Sequence, residues 1–115
     1  MTKDPKILLQ HILESIEWIE KDVSGLTEDQ FYENVPIQDA VIRRIEIIGE
    51  AARHLPIDFR QADSETPWQD IADMRNKLIH EYFSVDLDLV WEVIKRDIPN
   101  LKQNVQKLLK SEISQ

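Results

Sequence analysis

Residues 66–91 read TPWQDIADMRNKLIHEYFSVDLDLVW, and the rest of the chain is interpreted from this stretch. Thr66 has the chemistry of an N-cap, Pro67 that of a first helical residue, and Gln69 completes a capping-box pattern, so a helix is expected to start here. Trp68, Ile71, Met74 and Leu78 recur at helical spacing and form its apolar stripe. Arg75 lies beside that stripe. Asn76 and His80 are four apart and share a face. Arg75 and His80 are five apart, about 140° around a helix and roughly 7.5 Å along it. Either the length of arginine or a helix end near His80 must bring the two to one pocket. A helix that continued to Tyr82 would return that residue to the face of Arg75.

An Arg, an Asn, a His and a Tyr gathered at one helix end suit phosphate chemistry. A guanidinium is permanently charged and matches phosphate oxygens with paired donors. An imidazole takes or gives a proton near neutral pH. Spacing alone favours the plainer reading, an arginine that pairs with a carboxylate and a histidine that ends a helix, because Arg and His at this separation are common.

The pattern Arg75-x4-His80-x-Tyr82, set in MRNKLIHEYFSVD and flanked by PW at 67–68 and VW at 90–91, resembles the signature of the HepT-like branch of the HEPN superfamily. The upstream run RRIEIIGEAARHLP, Arg43 to Pro56, is similar to that family's second helix. The resemblance implies an all-α, HEPN-like up-and-down helical bundle with additional short helices, assembled as a homodimer. It implies a metal-independent ribonuclease toxin. It also implies a partner, a minimal nucleotidyltransferase antitoxin that adenylylates the motif tyrosine, here Tyr82.

At 115 residues the chain is expected to form a single domain over 1–115. Only 2 Gly and 5 Pro disfavour a turn-rich β fold. The absence of cysteine excludes disulfides, zinc–thiolate sites and cysteine nucleophiles. No apolar run approaches a membrane span and no signal-peptide pattern opens the chain, so a cytoplasmic protein without membrane contact is expected. The net charge of −8 argues against a protein that coats nucleic acid electrostatically. Cleavage of RNA in a small pocket would then need local basic groups, for which Arg43, Arg44, Arg53, Arg75 and Lys77 are candidates.

Outward from the motif, Asp4-Pro5 is expected to open a helix to about Asp22, with Leu8, Ile12, Ile16 and Ile19 on its inner face and Trp18 widening it. His11 borders that stripe. Ser24-Gly25 should break the helix, and Thr27 with Gln30 should cap a short one through Tyr32. Pro36 should open a second long helix with Ile37, Val41, Ile45, Ile48, Ala52 and Leu55 inward. Gly49 in its middle costs roughly 1 kcal/mol relative to alanine, which suggests a close helix approach; with Ala51 and Ala52 it motivates a contact between two copies. Arg43, Glu46, Glu50 and Arg53 read as a solvated ladder of alternating charge, with Arg44 or Glu46 lining a cleft as the alternative. Residues 57–66 read as a loop with one helical turn. Asp86 should cap a helix carrying Leu87, Val90, Trp91, Ile94 and Ile98, and Pro99 should kink or restart it before Leu101, Val105, Leu108 and Leu109.

No Gly-rich phosphate loop and no HExxH occurs, and the three histidines show no metal-ligand spacing. No metal site and no cofactor is expected. The chemistry expected is attack by a ribose 2′-OH on the adjacent phosphate. Arg75 and His80 would carry it, Asn76 would support it, and Tyr82 would bind substrate and accept the modification. A two-fold dimer would supply a second His and a second Arg. A non-catalytic module that holds a nucleotide or RNA, or a helical docking dimer, are the alternative readings.

Overall fold

In the computed structural model, which describes residues 4–79 and 85–114, the first helix starts where its cap chemistry requires. The Asp4 carboxylate accepts from the Lys6 amide at 2.9 Å and Pro5 takes the first position of α1, Pro5–Val23. Leu8, Ile12, Ile16 and Ile19 are buried along one face. Gly25 at φ +77° turns the chain, a conformation that glycine adopts without a side-chain clash. Both hydrogen bonds of the Thr27–Gln30 capping box then form at α2, Glu28–Glu33.

Asn34 caps α3, Val35–His54, one residue earlier than Pro36 suggested, and Pro36 sits within its first turn. Val41, Ile45, Ile48, Ala52 and Leu55 are buried and Ile37 is partly so. α1 packs along α3 and also against α8, Ile98–Ser114, so these long helices frame the core. The expected single turn between residues 57 and 66 is α4, Ile57–Ala62. Among the described residues the fold is an all-α bundle without a strand; one isolated antiparallel bridge joins Ile79 to Val85.

The second half departs from a single motif helix. It divides into α5, Trp68–Ala72, and α6, Met74–Leu78, at Asp73, whose backbone has φ −93° and ψ 0°. Thr66 does not cap α5. Its hydroxyl is buried without a hydrogen-bond partner, and the helix begins after Pro67 without a side-chain cap. Trp68, Ile71, Met74 and Leu78 nonetheless stay buried, because their 3–3–4 spacing survives the break. Asp86 caps α7, Leu87–Glu92, through the Leu89 amide at 3.1 Å. A π-helical turn, Val93–Asp97, follows and α8 restarts at Ile98. Pro99 accounts for it: proline has no N–H to donate and its ring crowds the carbonyl four residues back, which a wider turn relieves.

Trp18, which widens the apolar face of α1, does not lie in the core. It is 41% exposed, with Lys21 Nζ at 5.1 Å and Arg44 Cζ at 5.3 Å from its ring centroid. Cations over the indole face stabilise it where it stands.

Candidate active site

One face of α3 receives the break between α5 and α6. Glu46, Gly49 and Arg53 succeed one another at three- and four-residue steps, so they project in one direction. At Gly49 a Cβ would lie 3.3 Å from the carbonyl oxygens of both Ile71 and Ala72. The glycine therefore admits the end of α5 directly onto the α3 backbone. Arg53 Nη2 donates to the Ala72 carbonyl at 3.2 Å and so satisfies an acceptor at the end of α5. Glu46 completes the face: its Oε2 accepts from Arg75 Nε at 2.8 Å.

Two expectations are corrected here. The charges of α3 are not merely a solvated ladder. Glu46 and Arg53 reach α6 and α5, and within this set of four the one intrahelical ion pair is Arg53–Glu50 at 3.6 Å. The close approach that Gly49 permits lies within the chain rather than between two copies.

Arg75 lines a cleft of about 590 Å³ between α1, α3 and α6. Arg43 and Arg53 line it too, so three guanidinium groups face two carboxylates, Glu46 and Glu50. On a chain of net charge −8 this wall carries one positive charge in excess, since Arg53 and Arg75 pair with Glu50 and Glu46 and leave Arg43 over. The other large cavity, about 560 Å³, has the opposite balance: Glu65, Asp70 and Asp97 against Lys77 alone. Arg43 makes no ion pair or hydrogen bond within the described residues. Arg75 leaves 48% of its side chain exposed and Glu46 leaves 30%, so their pair contributes only about 0.2–1 kcal/mol to stability.

Of the residues singled out in the sequence, Arg75 is in the cleft. Asn76, next to it on α6, is exposed and not part of the cleft wall. His80 and Tyr82 lie outside the described residues. The residues on either side of that segment are tied together: Asp86 N–H donates to the Leu78 carbonyl at 2.9 Å, and Ile79 bridges to Val85. The helix carrying Arg75 therefore ends at Leu78, and Ile79 after it is extended. Arg44 lies on Trp18, and Lys77, 3.5 Å from Asp70, lines the acidic cavity.

Two imidazoles not assigned to the site from the sequence, His11 of α1 and His54 at the end of α3, line the cleft with Arg75. A signal for His54 was present in its spacing: it follows Glu50 of the same cleft by four residues and so shares that face of α3. Nothing local distinguished His11, which only the packing of α1 on α3 brings there. Among the described residues no group of three or more His, Asp or Glu is arranged to hold a metal ion. No helix among them is long and apolar enough to cross a membrane.

The profile of the family described as "Ribonuclease HepT-like" matches residues 12–108. The chain is 55% identical over 109 residues to a protein of Methanocaldococcus jannaschii named "Gamma-glutamylcyclotransferase and putative RNase", an alignment that covers 95% of this chain but 49% of that protein. It is 44% identical over 110 residues to "Probable ribonuclease HepT" of Thermococcus cleftensis, covering 96% of this chain and 100% of that protein. It is 42% identical to a "Putative RNase" of Caldanaerobacter subterraneus, covering 96% of this chain and 98% of the relative. The chain thus spans about half the length of the first of these relatives and nearly all of the other two. Among solved structures, none matches the chain.

Proposed function

The chain belongs to the HepT-like ribonuclease family, and on that premise we propose that it is the toxin of a toxin–antitoxin pair, an endoribonuclease that cuts RNA without a metal ion. The observation that carries this reading is Arg75, held at the wall of a cleft with one positive charge in excess on an otherwise acidic chain. A permanently charged group with paired donors in such a cleft favours a phosphate, and local charge offsets the unfavourable net charge.

In this mechanism the ribose 2′ oxygen attacks the adjacent phosphorus. A bond forms between the two while the bond from phosphorus to the 5′ oxygen breaks. The nucleophile is already in place, which removes the entropic cost of bringing one in. A histidine accepts the 2′-OH proton and a protonated histidine gives one to the departing 5′ oxygen; His80 fills this role. Arg75 stabilises the charge that builds on the pentavalent phosphate. Asn76 supports the site by contacting phosphate or orienting the imidazole. A homodimer supplies a second His80 and a second Arg75, so that base and acid need not be one group. The cognate nucleotidyltransferase adenylylates Tyr82 and so silences the enzyme.

The test is cleavage of RNA by purified protein in excess chelator. The expected products carry a 2′,3′-cyclic or 3′ phosphate. His80→Ala should abolish cutting and Arg75→Ala should weaken it strongly, with the fold intact in both. Strict dependence on magnesium, 3′-OH products, or full activity in His80→Ala would refute the assignment. Nucleotide binding without cleavage would favour a binding module instead.

A further inference from the structure

We propose that Glu46 is a positioning residue for Arg75: it holds the guanidinium by its Nε–H and leaves the terminal amino groups facing the substrate phosphate. The inference rests on the reading that Arg75 binds the phosphate being cleaved. Its ground is the contact itself. Glu46 Oε2 meets Arg75 at Nε, 2.8 Å away, across 29 residues of chain and from a different helix. An arginine carries five N–H donors, one on Nε and four on the two Nη atoms. Glu46 uses the first and no other described residue pairs with the remaining four.

A phosphate needs two parallel donors for two of its oxygens, and the Nη end of Arg75 offers them. A half-exposed arginine without Glu46 would spread over many rotamers, and the donors would have to be ordered at each turnover. Glu46 is less exposed than Arg75 and stands on the 20-residue α3, so it is the more firmly placed of the two. It lies one helical turn from Gly49, where α5 docks, so the same helix face that seats α5 also aims Arg75.

A carboxylate beside a phosphate site could instead compete with the phosphate for Arg75. The two roles give opposite signs. If Glu46 positions Arg75, its removal slows cleavage; if it competes, its removal speeds cleavage. The pair lies at the surface, half-exposed at Arg75 and about a third exposed at Glu46, and adds little to folding, so variants should fold and the kinetic effect should stand alone.

The experiment measures RNA cleavage by the full chain for wild type, Glu46→Ala, Glu46→Gln, Arg75→Ala and the double variant Glu46→Ala/Arg75→Ala. Thermal melts confirm folding. Glu46→Ala should lower kcat about 10- to 100-fold, the scale of a misplaced catalytic group, with little change in KM. Glu46→Gln keeps an acceptor oxygen on the same stem and should recover most of the rate. The double variant should be no slower than Arg75→Ala alone, because a residue that acts through Arg75 has nothing left to act on. Equal or faster cleavage by Glu46→Ala would overturn the inference, as would losses in the two single variants that multiply in the double. Unchanged cleavage in Arg75→Ala would overturn the reading of Arg75 itself, and this inference with it.

Discussion

Replacing Gly49 by valine tests the docking of α5 on α3. An added Cβ would lie 3.3 Å from two backbone oxygens, those of Ile71 and Ala72. Neither oxygen is free to retreat. The Ala72 carbonyl is held by Arg53, and the Ile71 carbonyl accepts from the Asp73 amide at the end of α5. Alanine would add one carbon and gain about 1 kcal/mol of helix propensity, so the strain of a tenths-of-an-ångström shift and the gain should nearly cancel. Valine adds two further methyl groups on a stiff Cβ and loses most of the propensity gain. Overpacking of this kind costs about 1–3 kcal/mol, and a loss near 2 kcal/mol corresponds to a fall in Tm of roughly 8 °C for a chain of this length. Thermal and urea melts followed by circular dichroism, at one fixed protein concentration, would measure it. Because α5 leads through Asp73 into the helix that carries Arg75, the valine variant should also cleave RNA more slowly. A Gly49→Val protein that melts at or above the wild-type temperature would refute the close approach and the reasoning built on it.

Arg43→Gln should raise KM for RNA and lower the salt dependence of binding by about 0.7 in the log–log slope expected for one phosphate contact on a single strand; an unchanged slope from fluorescence titration would remove Arg43 from the substrate path. Thr66→Val should stabilise the fold by about 1 kcal/mol, since it replaces a buried, unpartnered hydroxyl by a methyl of the same shape; a lower Tm would show that the hydroxyl is satisfied in solution. Sedimentation equilibrium at micromolar concentration should give twice the 13.6 kDa chain mass, and a clean monomer would remove the two-histidine mechanism. Co-expression with the cognate nucleotidyltransferase should add AMP at Tyr82, seen by intact mass and peptide mapping. The modified protein should be inactive because the added charge and bulk occupy the phosphate site, and modification at another residue would defeat this form of control.

What the sequence made legible was local. The inner faces of α1, α3 and α8 followed from apolar spacing, and Asp4, Thr27 and Asp86 cap because their oxygens reach amides two or three residues on. The restart at Pro99 followed from ring sterics alone. The break at Asp73 was hidden, because an intact apolar stripe runs through it and the groups that receive it, Gly49 and Arg53, come from another helix. Thr66 has cap chemistry, but the chain places its hydroxyl where no amide can meet it. Trp18 extends an apolar face, and its exposure could not be read without knowing that Arg44, 26 positions later, covers the ring. At the candidate site, the motif singles out Arg75, which the structure sets in the cleft wall; Glu46 reads from sequence as one charge among several on α3, and the contact that defines its place joins residues 29 apart.

The two five-residue helices on either side of Asp73 are far too short to persist by themselves, since each closes little more than the costly first turn. They are ordered by α3 and by the core beneath them, and α6 is expected to open locally at lower cost than the long helices. Backbone amides of residues 76–79 should therefore exchange with deuterium through a local opening well before those of α1 or the middle of α3. A bound RNA phosphate would close that opening and slow their exchange. Arg75 is thus presented by a short helix whose order is lent to it by α3, through Glu46, and by the core beneath Met74 and Leu78.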